Sequence, residues 1–412
     1  MNKPELDQIT TTALRFTAEV TSKWTSRLAG SPACLACADF LEESLSTFCD
    51  QVDHQLFSVR PGAFLGYIRI NIVLYLVALV ALFVQQPLLA TLVASLSVLI
   101  TVMEFFIYKE FVDGFYPKKQ GKNVFGRIEP AGKVKQQIII SAHHDSAHIF
   151  NFLEKDPSTY VRKVLAGTGT QLGLFVLTWL ILILNWTGSG SDTVYWGITI
   201  MLAVAALNLY PLWFFYDKDG TPGAGDNLVC TALAMEIGKY FAQEKAEGRS
   251  LQHTRVMIGS WDAEECGLRG ARAFVRKYKA DLTALKTYNF NLECMYDHKA
   301  LSFLRSDLNN FVPLSLEMAE EGAAIGKNLG FEIGVHPFPF LAGGTDAAEF
   351  AKAGIEATTL AAMDWENREA DTAYHTTRDT VDAVDREAVS RSIAIGVNYI
   401  LEKEKALLRK TS

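Results

Sequence analysis

The stretch TRVMIGSWDAEECGLRG, residues 254–270, combines a strand signal, two adjacent carboxylates and the start of a helix. Its first half is apolar and rich in β-branched residues, which predicts a buried strand over 254–261. Glu264 and Glu265 follow directly. On a continued strand their side chains would point to opposite faces, and one would enter the interior. Either the pair lies in a solvated loop, or something positively charged binds it.

Outside two long apolar blocks, strand-like and helix-like segments alternate along the chain, which indicates an α/β fold. The predicted strands are 54–59, 123–129, 136–142, 254–261, 287–293, 301–305, 331–338 and 355–361. The predicted helices are 10–28, 33–48, 226–244, 267–279, 313–328, 345–353 and 384–405. The first three strands can share one sheet only if the apolar blocks are insertions.

Ionisable residues gather at five places where predicted strands or loops end. These places are HHDS at 143–146, GAGDN at 223–227, the Glu264–Glu265 pair, Glu293 at the end of FNLE, and His375 in AYHTTRDT. In an α/β sheet, ligands bind beyond the carboxyl ends of the strands, so these groups can meet in one crevice. Carboxylates held together repel one another, and divalent cations would neutralise them. The mixture of imidazole and carboxylate suits zinc.

These residues resemble the zinc aminopeptidases with two co-catalytic metal ions, of the bacterial leucyl aminopeptidase type. That family also contains glutamate carboxypeptidase and, more distantly, glutaminyl cyclase. The motifs, in chain order, are HHDS (143–146), GAGDN (223–227), DAEECGLRGA (262–271), NLEC (291–294) and YHTTRDT (374–380), and RLAGSPACLACADFLEESL (27–45) is similar to the family's N-terminal helix. The resemblance implies the zinc exopeptidase fold, a mixed and mostly parallel central sheet flanked by helices.

The resemblance also implies two zinc ions and a role for each matched position. His143 and Glu293 would bind the first ion, Glu265 and His375 the second, and Asp226 would bridge both. One position departs from the pattern, because the family usually has Asp where this chain has Glu293.

Three further carboxylates would not bind metal. One would take a proton from the attacking water, and two would orient the histidine rings. Glu264 would be the general base on the water between the ions. Asp145 would orient His143 from behind, and Asp346, in GGTDAAEF, would support His375 in the same way.

The two apolar blocks read as helical hairpins. Residues 70–103 carry no charge, and a second charge-free pair of legs covers 171–186 and 194–215. Each leg reaches the approximately 20 residues that span a bilayer. We therefore predict four transmembrane helices in two inserted hairpins, 64–109 and 165–216, within a discontinuous catalytic domain of 1–63, 110–164 and 217–412. The alternative is two buried hairpins in a soluble core or an oligomer interface.

Charged residues predict the orientation of these hairpins. Lys and Arg flank the hairpin bases, whereas the loops QQP and TGSGSD contain neither. The positive-inside rule then places the catalytic domain in the cytoplasm of a multi-pass protein of bacterial inner membrane type. The N-terminal segment MNKPELDQITTTALRF is amphipathic and lacks an apolar secretory core, and the six cysteines are expected to be reduced.

Composition limits the classes of molecule that the protein is expected to bind. With 39 Lys and Arg against 46 Asp and Glu, the net charge is −7 without a basic stripe, so we expect no nucleic-acid partner. The expected partners are a peptide substrate, the lipid bilayer and, as an open alternative, further copies of the chain. The sequence thus predicts a membrane-anchored zinc aminopeptidase acting on short peptides. A glutaminyl-cyclase-like or carboxypeptidase activity on the same scaffold, or an inactive membrane scaffold, remain the alternatives.

Overall fold

The computed structural model of the protein describes residues 1–365 and 373–411. The strands are β1 (Gln51–Val59), β2 (Lys119–Ile128), β3 (Gln136–His143), β4 (His148–Phe150), β5 (Tyr216–Gly220), β6 (Thr254–Trp261), β7 (Lys286–Met295), β8 (Leu301–Leu304), β9 (Ser306–Asp307), β10 (Val312–Pro313), β11 (Gly334–His336) and β12 (Glu356–Ala362). The α-helices are α1 (Lys3–Lys23), α2 (Pro32–Ser46), α3 (Gly62–Phe83), α4 (Pro87–Thr101), α5 (Asn151–Lys155), α6 (Tyr160–Thr187), α7 (Asp192–Ala205), α8 (Tyr210–Trp213), α9 (Val229–Ala246), α10 (Arg269–Ala284), α11 (Leu316–Asn328), α12 (Ala347–Lys352) and α13 (Arg386–Thr411).

Eight strands form one sheet in the order β1-β2-β6-β3-β7-β12-β8-β11. They are the eight strands that the sequence predicts. The four central strands, β6, β3, β7 and β12, run parallel. β1 pairs antiparallel with β2, β2 with β6 and β8 with β12, whereas the edge strand β11 pairs parallel with β8. The predicted α/β fold with a mixed central sheet is therefore confirmed.

Helices cover both faces of this sheet because its central strands are apolar on both sides, as parallel strands usually are. β3 is buried along its whole length. On one face Ile138 packs in a cluster with Leu41 and Ile237, and on the other Trp261 stacks near Phe274. Burying each such side chain contributes about 1.5–3 kcal/mol, so these two layers hold the strand ends in place.

The first helix differs from its predicted range of 10–28, since α1 begins at Lys3 and ends at Lys23. Asn2 caps it: the Asn2 side chain accepts the Glu5 N–H at 3.0 Å, and the Glu5 carboxylate accepts the Asn2 N–H at 3.1 Å. This reciprocal pair is a capping box, which starts a helix before any apolar periodicity is visible.

Four helices are long and apolar enough to cross a membrane, namely Gly62–Phe83, Pro87–Phe106, Pro157–Thr187 and Asp192–Trp213. The first pair is inserted between β1 and β2, and the second pair follows β4 and returns to it through β5. The four helices share a core of their own, in which the Tyr75 hydroxyl donates to the Leu202 carbonyl oxygen at 2.8 Å. Their outward side chains remain apolar.

Candidate active site

The predicted site residues lie at the carboxyl ends of the central parallel strands. His143 is the last residue of β3, the Glu264–Glu265 pair follows β6, and Glu293 lies near the end of β7. β3 is the direct neighbour of both β6 and β7, so register alone brings these groups together. Their convergence is therefore a consequence of strand order.

His143 forms a cluster with two carboxylates. Its Nε2 atom lies 3.3 Å from Asp226 Oδ1 and 3.4 Å from Glu293 Oε1. The longer side chain of Glu293 therefore reaches the same point as the other two groups. One ligand atom from each residue lies within 4.8 Å of the others, which is a spacing that can hold a metal ion.

His375 forms the second cluster around the other oxygen of the same aspartate. Its Nε2 atom lies 3.1 Å from Asp226 Oδ2 and 3.3 Å from Glu265 Oε1. Because Asp226 offers one oxygen to each imidazole, it is placed where a bridging ligand would be. The structure brings together all five residues predicted as ligands, and their roles as ligands stay predictions.

The donor atoms fit a bound cation. Four of them are buried without a hydrogen-bond partner: His143 Nε2, Glu265 Oε1, Glu293 Oε2 and His375 Nε2. Burying a polar atom without a partner costs about 1–3 kcal/mol, and more for a charged group. Cations binding all four would remove that cost, and two imidazoles with three carboxylates form a donor set suited to zinc.

Without metal, protons on the imidazoles balance the carboxylates. Burial by itself lowers the pKa of His375, but the charges of Glu265 and Asp226 outweigh it and raise this pKa to about 10. The pKa of His143 is likewise raised, against burial, by Glu264 and Glu293. Burial raises the pKa of Glu293 to about 7 and that of Glu264 well above its ordinary value. The site therefore stores protons that a metal would displace.

A turn separates the two adjacent glutamates. Ala263 has a left-handed φ of 60°, so the chain leaves the strand before the pair begins. Glu264 Oε2 then lies 3.8 Å from His143 Nε2, whereas Glu265 contacts His375. The pair is buried among the imidazoles and is not a solvated loop.

Asp145 holds this turn and His143 at the same time. Its Oδ1 lies 3.3 Å from His143 Nδ1, as expected for a residue that orients the ring. The same carboxylate accepts the backbone N–H groups of Glu264 at 3.1 Å and Glu265 at 3.2 Å. One side chain therefore positions an imidazole and both glutamates.

Asp346 does not support His375 as predicted. Both carboxylate oxygens of Asp346 and Nδ1 of His375 are buried without a hydrogen-bond partner, so no bond joins them. Asp346 lies immediately before α12. Burial raises the pKa of its carboxyl group, and the nearby charge of His143 opposes this rise without cancelling it. The His375 ring is held by aromatic contacts instead, edge-on to Phe150 at 4.3 Å and stacked on Tyr374 at 3.9 Å.

Asp379 is a positioning residue that sequence reasoning missed. Its carboxylate accepts the backbone N–H groups of Gly225 at 2.7 Å and Asp226 at 3.3 Å, which aims Asp226 into the site. The available signal was its place in YHTTRDT, four residues after His375.

Comparisons with known proteins give one family match and several similar folds. Residues 200–400 match a family model described as Peptidase family M28, a segment that holds Glu264 and four of the five candidate ligands, with His143 before it. No curated protein sequence matches the chain.

The fold is similar to several solved structures. A zinc aminopeptidase from Bacillus subtilis has a TM-score of 0.56 at 13% identity, covering 96% of this chain and 95% of its own. A Zn-dependent exopeptidase from Parabacteroides distasonis has a TM-score of 0.54 at 14% identity, covering 95% and 97%. A glutaminyl cyclase from Porphyromonas gingivalis has a TM-score of 0.57 at 12% identity, covering 96% and 98%. The resemblance is therefore confirmed at the level of the fold and of a partial family match: this chain has the zinc exopeptidase fold, and its residues 200–400 match peptidase family M28.

Proposed function

We propose that the protein is a membrane-anchored zinc metallopeptidase that removes N-terminal residues from short peptides. The observation that supports this most is the convergence of two imidazoles and two carboxylates on Asp226, with Glu264 beside them. A scaffold that had lost its chemistry would lack a ligand or the base, and all six groups are present.

The residues divide the reaction between them. His143, Asp226 and Glu293 would hold one zinc ion, and Asp226, Glu265 and His375 the other. Bound zinc lowers the pKa of water to about 7. Glu264 accepts the proton of the attacking water and returns it to the leaving amine. Its position suits this shuttle, because Glu264 is buried and its Oε2 lies 3.8 Å from His143 Nε2, beside the candidate ligands.

The direct test is Glu264→Gln, which keeps the size of the side chain and removes the base. We expect unchanged zinc content by elemental analysis and a loss of peptide hydrolysis of roughly 10²–10⁴-fold. Glu43→Gln, at an exposed position on α2, is the matched control and is expected to behave as wild type. Wild-type protein that binds no zinc, or a fully active Glu264→Gln variant, would refute the proposal.

A glutaminyl-cyclase-like activity is the second candidate, supported by the similar fold of the Porphyromonas gingivalis enzyme. A carboxypeptidase activity is the third. A panel of three peptides with added zinc separates them: one with a free N-terminus, one blocked at the N-terminus, and one beginning with Gln. Release of the first residue supports the aminopeptidase, release of the last supports the carboxypeptidase, and ammonia without cleavage supports the cyclase.

We further propose that the hairpins cross a membrane and leave the catalytic domain, 1–63, 110–164 and 217–412, in the cytoplasm. The outward faces of the four helices support this, since Val80, Leu92 and Val204 are about 60% exposed and would be unfavourable in water. The Lys and Arg residues within the helices lie toward the hairpin bases, where Arg69 covers the Tyr216 ring and buried Glu104 is 3.8 Å from Arg269.

Cysteine labelling tests the orientation. Ser189→Cys, in the loop TGSGSD, is expected to react with an impermeant maleimide on intact cells, in a background where half-buried Cys49 is replaced. Lys279→Cys, exposed on α10, is expected to react only after permeabilisation. The reverse pattern would overturn the topology.

A further inference from the structure

One cavity of about 460 Å³ joins the candidate metal site to the bases of both hairpins. At one end it is lined by the charged groups of the site, including Glu264 and His375. At the other it is lined by side chains of α3, α4 and α6, among them Ile68, Val98 and Leu172. A pocket for short polar peptides has no need of this second compartment.

The hairpin end is lined mainly by apolar side chains, with a minority of polar ones: Asn71, Thr101, Gln171, Tyr67, Tyr160 and Thr168. Asn71 donates to Thr101 at 2.8 Å, and Gln171 accepts a bond from Ser97 at 2.7 Å. A polypeptide carries an N–H and a C=O on nearly every residue, and each needs a partner when buried. A hydrocarbon chain needs none, so the lining favours a hydrocarbon chain.

The length of this compartment matches one leaflet of a bilayer. It follows α3 from Phe64 to Asn71 and the second apolar helix from Val98 to Phe106, which is roughly 10–12 Å at 1.5 Å per residue. Half of a hydrocarbon core of about 30 Å is only slightly longer.

The compartment also reaches the surface that would face lipid. Leu172 lines the cavity and is 55% exposed on the outside of the four-helix unit. At the base of the first hairpin, the Phe106 ring lies near the rings of two residues of the catalytic domain, Phe311 and Phe340. The distances between ring centroids are 6.0 Å and 5.9 Å, and both residues are 61% exposed. Large exposed apolar side chains that adjoin one another in this way mark a surface that contacts a membrane or another protein.

We infer that the substrate is an amide with a long hydrocarbon chain, which enters from the bilayer and lies between the hairpins while its amide lies at the carboxylates. This inference rests on the proposed hydrolytic function. Water adds to the amide carbon, the C–N bond breaks, and the leaving nitrogen receives the proton that Glu264 took from the water. The chain can belong to the leaving amine or to the acyl group.

A substrate series in zinc-loaded proteoliposomes tests the inference. It compares leucyl dodecylamide, leucyl ethylamide and N-dodecanoyl leucine. The hydrocarbon chain of the substrate moves into the cavity from lipid and not from water, so the gain in kcat/KM comes from the high local concentration of substrate in the bilayer. We expect kcat/KM for one dodecyl substrate to exceed that of the ethylamide at least about tenfold. Which dodecyl substrate is preferred identifies the side of the amide that carries the chain.

Two tryptophan variants distinguish binding of the hydrocarbon chain in the cavity from general partitioning of the substrate into lipid. Val98→Trp narrows the compartment and is expected to reduce the ratio of dodecyl to ethyl kcat/KM toward one. Leu99→Trp, on the same helix but 40% exposed and outside the lining, is expected to keep that ratio. Equal ratios in the two variants would overturn the inference.

A binding measurement makes the result independent of turnover. In the Glu264→Gln protein, leucyl dodecylamide with a photoreactive diazirine at the chain end is expected to crosslink to residues 64–71 or 98–106. Crosslinks confined to the outward faces of the helices would refute the inference. Hydrolysis of the ethylamide without a preference for the long chain would also refute it while leaving the proposed peptidase intact, whereas failure on every amide would refute both.

Discussion

The carboxylate end of the cavity and its hairpin end differ in what their side chains bond to. At the carboxylate end two aspartates each serve several partners: Asp226 contacts two imidazoles, and Asp145 contacts one imidazole and two backbone N–H groups. At the hairpin end, side chains mostly contact apolar neighbours, with local polar bonds such as those of Asn71 to Thr101 and Ser97 to Gln171. A change at the first end should therefore spread through the site, and a change at the second should stay local.

Asp226→Asn should show the largest effect. Among the residues that the structure describes, Asp226 is the one that forms ion pairs with both His143 and His375, so we expect its loss to weaken both metal sites and to bring hydrolysis below detection. Zinc per chain is measured by elemental analysis after dialysis, with exposed Asp219→Asn as the control. A variant that kept two zinc ions and most of its activity would show that Asp226 does not bridge.

Asp145→Asn should have the next largest effect. Removing its charge weakens the support of one imidazole and of the Glu264–Glu265 turn, and such changes cost about 10–100-fold in activity or metal affinity. Asp346→Asn is the comparison, because Asp346 is buried but makes no hydrogen bond, and we expect a smaller loss. If Asp346→Asn were the more damaging of the two in kcat/KM, the positioning role of Asp145 would be wrong.

The pH dependence of zinc binding should be moderate and of predictable sign. The pKa of His375 is raised from an ordinary 6.5 to about 10, so between these values the metal-free site holds a proton that zinc must displace. Zinc affinity should therefore rise with pH across this window, with about one proton released per ion bound. Below pH 7 the raised pKa of Glu293 adds a second proton.

Calorimetry in two buffers of different ionisation enthalpy measures this release. The raised pKa of His375 also stabilises the metal-free fold below pH 6.5, and this contribution is lost as pH rises toward 10. Zinc binding without proton release would mean that the imidazoles are neutral before the metal arrives.

Thr101→Val should have the smallest effect. It removes the partner of Asn71 within the hairpin end, where such bonds contribute about 0.6 kcal/mol on average. A double-mutant cycle with Asn71→Leu, followed by thermal unfolding in detergent, measures the coupling free energy. Coupling above about 2 kcal/mol would show that the hairpin end also depends on polar bonds, and the contrast between the two ends would fail.

Much of the site was predictable because four of its candidates lie at or just beyond the ends of apolar strands. His143 after β3, the pair after β6 and Glu293 in β7 could be placed at one edge, since parallel strands end on the same side. All eight strands of the large sheet were predicted for the same reason. The start of α1 was missed because a capping box, and not periodicity, begins that helix.

The partner of each side chain was harder to predict. The predicted bond from Asp346 to His375 is absent, and the role of Asp379 was not foreseen, because both depend on loops whose paths are set by packing. Asp145 was expected to orient His143, but its bonds to two backbone N–H groups across 119 and 120 residues were not visible in the chain.

The amino-acid sequence by itself determined the strand pattern, the apolar hairpins and the chemical kind of the site, because periodicity and residue type are local properties. Only the tertiary structure decided that one aspartate stands between two imidazoles and that the cavity behind it continues between the hairpins. Both depend on the packing of elements far apart in the chain: β3, β7 and the loop holding His375 for the first, and α3, α4 and α6 for the second. Such contacts follow from how the side chains fill space, which no local pattern records.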